Sequence, residues 1–381
     1  MRILLAGAYP PNPRLGSARL LLKLGKEFRR LGHDVDHLWL DALPRWAQHP
    51  RIAWIVLPVV LLVKVLKSQK NGRGYDVVDV CGGDGWLVSL VKEHLRSRPV
   101  MICRSQGWEH EYLRVLVERL GSESGKWRRA LLMRLLRLPM VAMWAKYSDA
   151  IIVGCSLRRA LPIERGWKPE DRVYVVPYGI DTEYFVDHGS VESRKGVLYA
   201  GSWLHGKGVH DLTKAFLLIR ESGCDIPLTI LGFGLASQEV LQDFDPMVRD
   251  HIKISESQRF VEESVMMEEY RRHEVLVFPS HYEGFGLVFL EGMASGMAVV
   301  ATPTGGVPDI LRDHENGAII PLGDPEALAA AVLDLWKSPE RRRRLGNAAR
   351  ETARNYTWDQ IAAMTLKCYG AAAGKAGVAG S

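Results

Sequence analysis

Short aliphatic and β-branched runs alternate with longer amphipathic stretches along this chain, the rhythm of βαβ units in parallel sheets. In the first half, the apolar runs predict strands at residues 2–6, 35–40, 77–80, 100–103, 150–153 and 173–176. A helix over 17–31, stopped by Gly32, separates the first two. Residues 182–195 are polar and aperiodic and read as a linker. A second series then predicts strands at 196–200, 228–231, 252–254, 275–278, 298–301 and 318–320. Each series has a glycine turn after its first strand, Gly7 to Gly16 in one and Gly201 to Gly208 in the other. The pattern therefore predicts an α/β fold of two doubly wound, Rossmann-like domains, 1–185 and 196–355, with a cleft between them. A last helix, 356–370, is expected to pack back on the first domain, and 371–381 to fray.

The strongest chemical signal lies between Pro279 and Pro303. A buried strand ends at Pro279, and a turn with Gly284 and Gly286 carries Glu283. An apolar helix then encloses Glu291 and closes at Gly296. The spacing of the two carboxylates alone carries little information. Their context carries more, because both stand at the carboxyl end of a parallel strand, where open α/β sheets bind ligands. Inside Leu287-Val-Phe-Leu290 and Met293-Ala294, an unpaired carboxylate would cost several kcal/mol. Glu291 is thus either ion-paired in the core or an acceptor for ligand hydroxyls, with Glu283 serving a second polyhydroxy group.

Upstream, Gly201-Ser202-Trp-Leu-His-Gly-Lys207-Gly208 opens a helix. Backbone N–H groups and the dipole there suit an anion, and Lys207 adds a point charge fit for a diphosphate. Gly305-Gly306 can lend further donors. Gly232-Phe-Gly234 and residues 255–260 are candidates for contact with a planar base.

Composition narrows the partners. The chain has 381 residues, 47% hydrophobic and 25% charged, with net charge +6. That is a two-domain globular length with a mild preference for anions. No basic tail or aromatic-interleaved basic motif points to nucleic acid. Cysteines 81, 103, 155, 224 and 368 show no metal-ligand spacing and read as reduced thiols. The amino end reads as a buried strand rather than a signal peptide. The apolar run 52–63 would rise about 18 Å as a helix, short of a ~30 Å hydrocarbon core, so no transmembrane helix is expected. Residues 126–147 are basic and apolar without acids and can lie on an anionic membrane surface, with 46–66 as a second contact. The alternative for 126–147 is a core helix with a solvated basic face.

Together these residues resemble the retaining, GT-B-fold glycosyltransferases of family 4. The resemblance rests on Tyr9-Pro-Pro with Gly16, Gly32-His33, Ser148-Asp-Ala-Ile-Ile with Ser156, and Pro177-Tyr-Gly-Ile-Asp181 with Phe185. It continues through Gly201…Lys207-Gly208, Glu283…Glu291, Gly305-Gly306-Val-Pro-Asp309 and Asn316-Gly317. It implies a nucleotide-diphosphate sugar as donor, a saccharide or lipid-linked hydroxyl acceptor, and a role in cell-surface polysaccharide, lipopolysaccharide or glycolipid synthesis. Lys207 would neutralise the diphosphate and Glu291 would hold the ribose. Glu283 with the N–H groups of Phe285, Gly286, Leu287 and Val288 would hold the transferred sugar and its phosphate. Gly16, Gly201, Ser202, Gly232, Gly234 and Gly284 complete the donor set, with Lys207 and Glu283 as the catalytic pair. Arg104, Gln106, Glu109 and His110 are candidates for the acceptor. No metal or cofactor is expected, and the expected location is cytoplasmic, peripheral on the inner face of the plasma membrane.

Three positions depart from that family's pattern. Ser202 stands where an arginine is usual, Gln106 where a histidine is usual, and Tyr178 where an asparagine is usual. Two rival readings follow: a non-catalytic, membrane-associated scaffold of the same fold, and a metal-dependent GT-A-type enzyme using Asp34-Val-Asp36 or Asp243-Phe-Asp245. A sugar-nucleotide epimerase on the same two-domain plan is a further alternative, against which the Glu283…Glu291 segment argues.

Overall fold

The computed structural model describes residues 1–111, 113, 130–185, 194–256 and 261–378. They form two compact units, Met1–Pro177 with Trp358–Ser381, and Tyr178–Thr357. Each unit holds one parallel sheet, six-stranded among the described residues. The strands agree with the apolar runs to within about two residues.

In the first unit the strands are β1 (Arg2–Ala6), β2 (Asp34–Leu38), β3 (Val77–Cys81), β4 (Val100–Ser105), β5 (Ala150–Val153) and β6 (Val173–Val175). Their order is β2-β1-β3-β4-β5-β6. β1, β3 and β5 are buried along nearly their whole length, as expected of strands covered by helices on both faces. The chain moves from β1 outward to β2, then returns to place β3 on the other side of β1. That reversal opens a crevice at the carboxyl ends of β1 and β3.

In the second unit the strands are β7 (Val197–Ala200), β8 (Leu228–Leu231), β9 (Ile252–Glu256), β10 (Val275–Phe278), β11 (Ala298–Ala301) and β12 (Ala318–Ile319). The order β12-β11-β10-β7-β8-β9 puts the reversal between β7 and β10. The two loops singled out in the sequence, after β7 and after β10, are therefore neighbours in space although some 75 residues separate them.

Three boundaries differ from the sequence reading. The chain enters the second unit at Tyr178, ahead of the expected linker. Thr182–Phe185 forms a 3₁₀ turn, and Ile180 pairs with Thr357 as an isolated bridge. Residues 186–193 of that linker lie outside the described residues. The last helix, Trp358–Val378, runs further than expected and belongs to the first unit. There Tyr369 packs on Phe28, ring centroids 5.9 Å apart, and its hydroxyl donates to Asp79 Oδ2 at 2.5 Å. Finally, the apolar run at 52–63 is only part of a helix from Pro50 to Lys70. Pro58 sits inside it, and neither Pro58 nor Lys64 ends it. By length and composition, Arg51–Lys70 is sufficient to cross a membrane, contrary to the expectation from the shorter run.

Candidate active site

The loop after β7 is fixed by a glycine that no other residue can replace. Gly208 has φ +72°, and a Cβ there would collide with the carbonyl oxygen of Pro279, the first residue after β10. Across the same contact, the N–H groups of His281 and Tyr282 donate to the carbonyl of Gly206 at 3.0 and 3.3 Å. The two loops are thus laced together by backbone, and this brings their side chains into register.

Lys207 Nζ then meets Glu283 Oε1 at 2.5 Å, and Ser280 Oγ donates to the same oxygen at 2.9 Å. Lys207 keeps 31% of its side chain exposed and Glu283 keeps 11%. A half-buried ion pair of this kind holds both groups in one place while leaving the ammonium reachable by an anion. Burial, with the Glu283 charge nearby, pushes the Tyr199 hydroxyl well above its ordinary range. It stays protonated and donates to the carbonyl of Ser202 at 3.1 Å.

Past Glu283, the chain turns at Gly286 (φ +96°), where a Cβ would come 2.8 Å from the Phe278 ring, and enters the helix Leu287–Ala294. The first N–H groups of that helix have no intrahelical acceptor and carry the positive end of its dipole. Glu283, which holds Lys207, lies four residues ahead of that helix. The Phe285 ring is clamped from two sides. Tyr178 stacks on it at 4.7 Å with an interplanar angle of 17°, and Gly306 lies so close that a Cβ would meet the ring at 2.6 Å. Gly305-Gly306 therefore serves packing: the Gly306 N–H, expected as a free donor, is spent on the Phe285 carbonyl at 2.8 Å. Tyr178, one of the departures from the resembled pattern, is thereby a support of the site loop.

Glu291 is 1% exposed and accepts a hydrogen bond from the Tyr270 hydroxyl at 2.9 Å. A neutral hydroxyl is thus one partner of this buried carboxylate. Tyr270 was not legible as a site residue, since in the sequence it is one apolar position on an amphipathic helix, Glu263–Arg272. Gly232 and Gly234 both adopt positive φ beside the first loop, where Trp203 N–H donates to the Phe233 carbonyl at 3.0 Å. Of the suggested base region, residues 257–260 lie outside the described residues, and Ser255 is hydrogen-bonded to Glu269.

Both Asp-x-Asp spellings are committed elsewhere. Asp243 accepts from the Trp203 indole at 2.6 Å, and Asp245 caps the turn at Met247. Asp36 holds Arg2 and Tyr75, and Asp34 lies 3.3 Å from Arg2. Among the described residues no cluster of three metal-ligating side chains occurs.

In the first unit the candidates separate into two groups. Arg104, expected to face an acceptor, is buried with both Nε and Nη2 on Asp79 at 2.6–3.1 Å, in the pocket that Tyr369 closes. It is a core ion pair. Gln106 Nε2 ties Tyr9 Oη (3.1 Å) and the Ser17 carbonyl (3.0 Å), which fixes the loop that ends at Gly16. Glu109 Oε1 accepts from Arg137, whose other arm holds the buried Asp84 at 2.5 Å. His110 packs 5.0 Å from Trp167, and burial, aided by Arg165, drops its pKa to about 4, so it is neutral at pH 7. Arg137 is the residue the sequence reading placed only in a basic stripe; a π-helical turn over Met133–Arg137 turns it inward.

Comparison with known proteins finds a family match within the second unit. Residues 181–352 match the family model of glycosyl transferases group 1. A D-inositol 3-phosphate glycosyltransferase of Xylanimonas cellulosilytica is 30% identical over 219 residues, covering 52% of this chain and 51% of that protein. The chain thus spans about half the length of such curated relatives. Among solved structures, the sucrose-phosphate synthase of Thermosynechococcus elongatus superposes with a TM-score of 0.72 at 20% identity, covering 97% of this chain and 98% of that one. The Anabaena protein HepE, in complex with UDP, gives 0.69 at 14% identity over 96% and 99%. At these identities the likeness is one of fold, and the fold of this chain is GT-B, two Rossmann-like units.

Proposed function

We propose that this chain is a group 1 glycosyl transferase that moves a sugar from a nucleotide-diphosphate donor to an acceptor hydroxyl with retention at the anomeric carbon. The observation that carries the reading is Lys207, held on Glu283 where β7 and β10 diverge, four residues ahead of a helix N-terminus. The family match over residues 181–352 and the sugar-transferring relatives support the reaction class, and the UDP complex of a fold neighbour supports a nucleotide as part of the donor.

The chemistry follows from where charge develops. As the bond from C1 to the phosphate oxygen breaks, its electron pair moves onto the diphosphate. Lys207 and the N–H groups of Leu287 and Val288 meet that charge with preorganised positive ends. Moving onto the diphosphate frees Glu283 from the ammonium, and its carboxylate then accepts from hydroxyls of the sugar. The acceptor oxygen forms the new bond to C1 on the same face, and its proton passes to the departing phosphate oxygen. Glu291, oriented by Tyr270, takes the ribose hydroxyls. Ser202 offers one hydroxyl in place of a guanidinium, so Lys207 is the cation on which the diphosphate depends. No step needs a metal, and turnover is expected to survive EDTA.

A thermal-shift series with UDP, GDP, ADP, CMP and dTDP tests the donor class. One nucleoside diphosphate should stabilise the protein strongly, and the matching sugar nucleotide should then support transfer to a hydroxyl acceptor. No shift with any of them would overturn the reading. A nucleotide shift without turnover on its sugar derivatives would instead favour the scaffold alternative that Ser202 keeps open.

A further inference from the structure

The Pro50–Lys70 helix has two unlike faces. Ala53, Leu57, Leu61 and Val65 recur every fourth residue, are at most 1% exposed, and pack into the core of the first unit. Ile52, Ile55, Val59, Val63 and Leu66 recur at intervals of three and four on the other side, and each is 37–54% exposed. Five large aliphatic side chains in one exposed row exceed the scattered apolar exposure normal for a protein surface. Trp46, 67% exposed, stands just ahead of the helix.

A neighbouring element repeats the property. Trp54 of the helix clusters with Leu113, Ala130 and Met133, and the Arg137 guanidinium lies 5.5 Å over its ring. On that adjoining stretch, Leu131, Leu135 and Leu136 are 42–65% exposed. The charge is one-signed. Residues 45–70 contain Arg45, Arg51, Lys64, Lys67 and Lys70 with no Asp or Glu, and residues 130–147 also contain no acid. Lys70 falls on the same helical row as Leu66, at its carboxyl end.

An apolar row edged only by cations fits a surface that is apolar within and anionic at its rim. A second copy of the chain would bring like charges together along the whole contact. A bilayer with anionic headgroups satisfies both features. The buried row decides between lying on that bilayer and spanning it. Arg51–Lys70 is long enough to cross, but crossing would strip Leu57 and Leu61 out of the core.

We propose that the Pro50–Lys70 helix lies in the interface of an anionic membrane, with the Ile52 to Leu66 row in the acyl boundary and Arg51, Lys67 and Lys70 among the headgroups. This goes beyond sugar transfer and stands apart from it, because docking requires neither donor nor turnover.

The test is sedimentation of the full chain with vesicles of phosphatidylcholine alone or mixed with phosphatidylglycerol, without nucleotide. Binding is expected to the mixed vesicles, weaker but not abolished at high salt. The double variant Ile55→Asp/Val59→Asp should lower partitioning by about tenfold or more, with an unchanged melting temperature because both side chains are exposed. Lys67→Glu/Lys70→Glu should remove the preference for phosphatidylglycerol. No binding at low salt would overturn the proposal, as would equal binding by the aspartate variant. Resistance to alkaline extraction would replace it with a spanning helix. Light scattering that shows a dimer lost in the aspartate variant, without vesicle binding, would replace it with self-association.

Discussion

Lys207 and Glu283 hold each other in place, so removing either charge affects both placement and chemistry. Lys207→Ala is expected to lower kcat by about 10²–10³-fold, the usual loss for one transition-state charge contact. The fold should be retained, because the ammonium is partly exposed and only one partner loses it. Circular dichroism alongside steady-state kinetics checks both halves of that statement. His110 gives a pH prediction. Its folded pKa of about 4 lies below the ordinary 6.5, so the unfolded chain takes up a proton between those values that the buried imidazole refuses. Stability should fall as pH drops through that window and be insensitive to this group above it. Melting curves from pH 7 to 4.5 should be visibly flatter for His110→Phe than for the parent. Much of this scale was legible in sequence. Lys207 and Glu283 stood out because glycines flank them and a strand ends just before each loop. Tyr270 and Arg137 did not, since one hydroxyl in an amphipathic helix and one arginine in a basic run look the same whether buried or solvated. Arg104 was misplaced for a related reason: its partner Asp79 sits in the middle of an apolar strand, where a carboxylate is visible but its target is not.

At the scale of elements, the site depends on stacked rings as much as on loops. Tyr178 lies on Phe285, and Phe285 sits directly before Gly286 and the helix that offers its N–H groups. Tyr178→Ala is expected to loosen that turn and weaken nucleoside-diphosphate binding by about tenfold, roughly the 1.4 kcal/mol of a good aromatic pair. Isothermal titration measures it, and Tyr178→Phe, which keeps the ring, should restore the affinity. The strands themselves were readable because buried parallel strands are continuous apolar runs, and such runs end abruptly at turn residues. The Pro50–Lys70 helix was cut short because a proline and a lysine look like stops. Here Pro58 is accommodated within the helix, and Lys64 is only half-buried on its flank.

For the molecule as a whole, two units with separate sheets and cores predict two unfolding steps. A nucleoside diphosphate should raise only the transition of residues 178–357, while Tyr369→Phe should lower only that of residues 1–177 with 358–381. Calorimetry with and without nucleotide, together with proteolysis to assign each step, checks the pair. The two-domain plan was legible from the repeated strand series. The entry into the second unit at Tyr178 was not, because the polar stretch that marks a linker in sequence follows the crossing point instead of containing it.

The return of the Trp358–Val378 helix to the first unit bears on biosynthesis. A ribosome makes residues 1–177 before residues 178–357, yet the side chain that completes the Asp79 and Arg104 pair and covers Phe28 is Tyr369, which emerges only after both. The nascent amino-terminal half must therefore wait, incompletely sealed, while the middle of the chain is translated and folds ahead of it. A stop codon ahead of Tyr369 would strand that waiting half for chaperones and proteases to find.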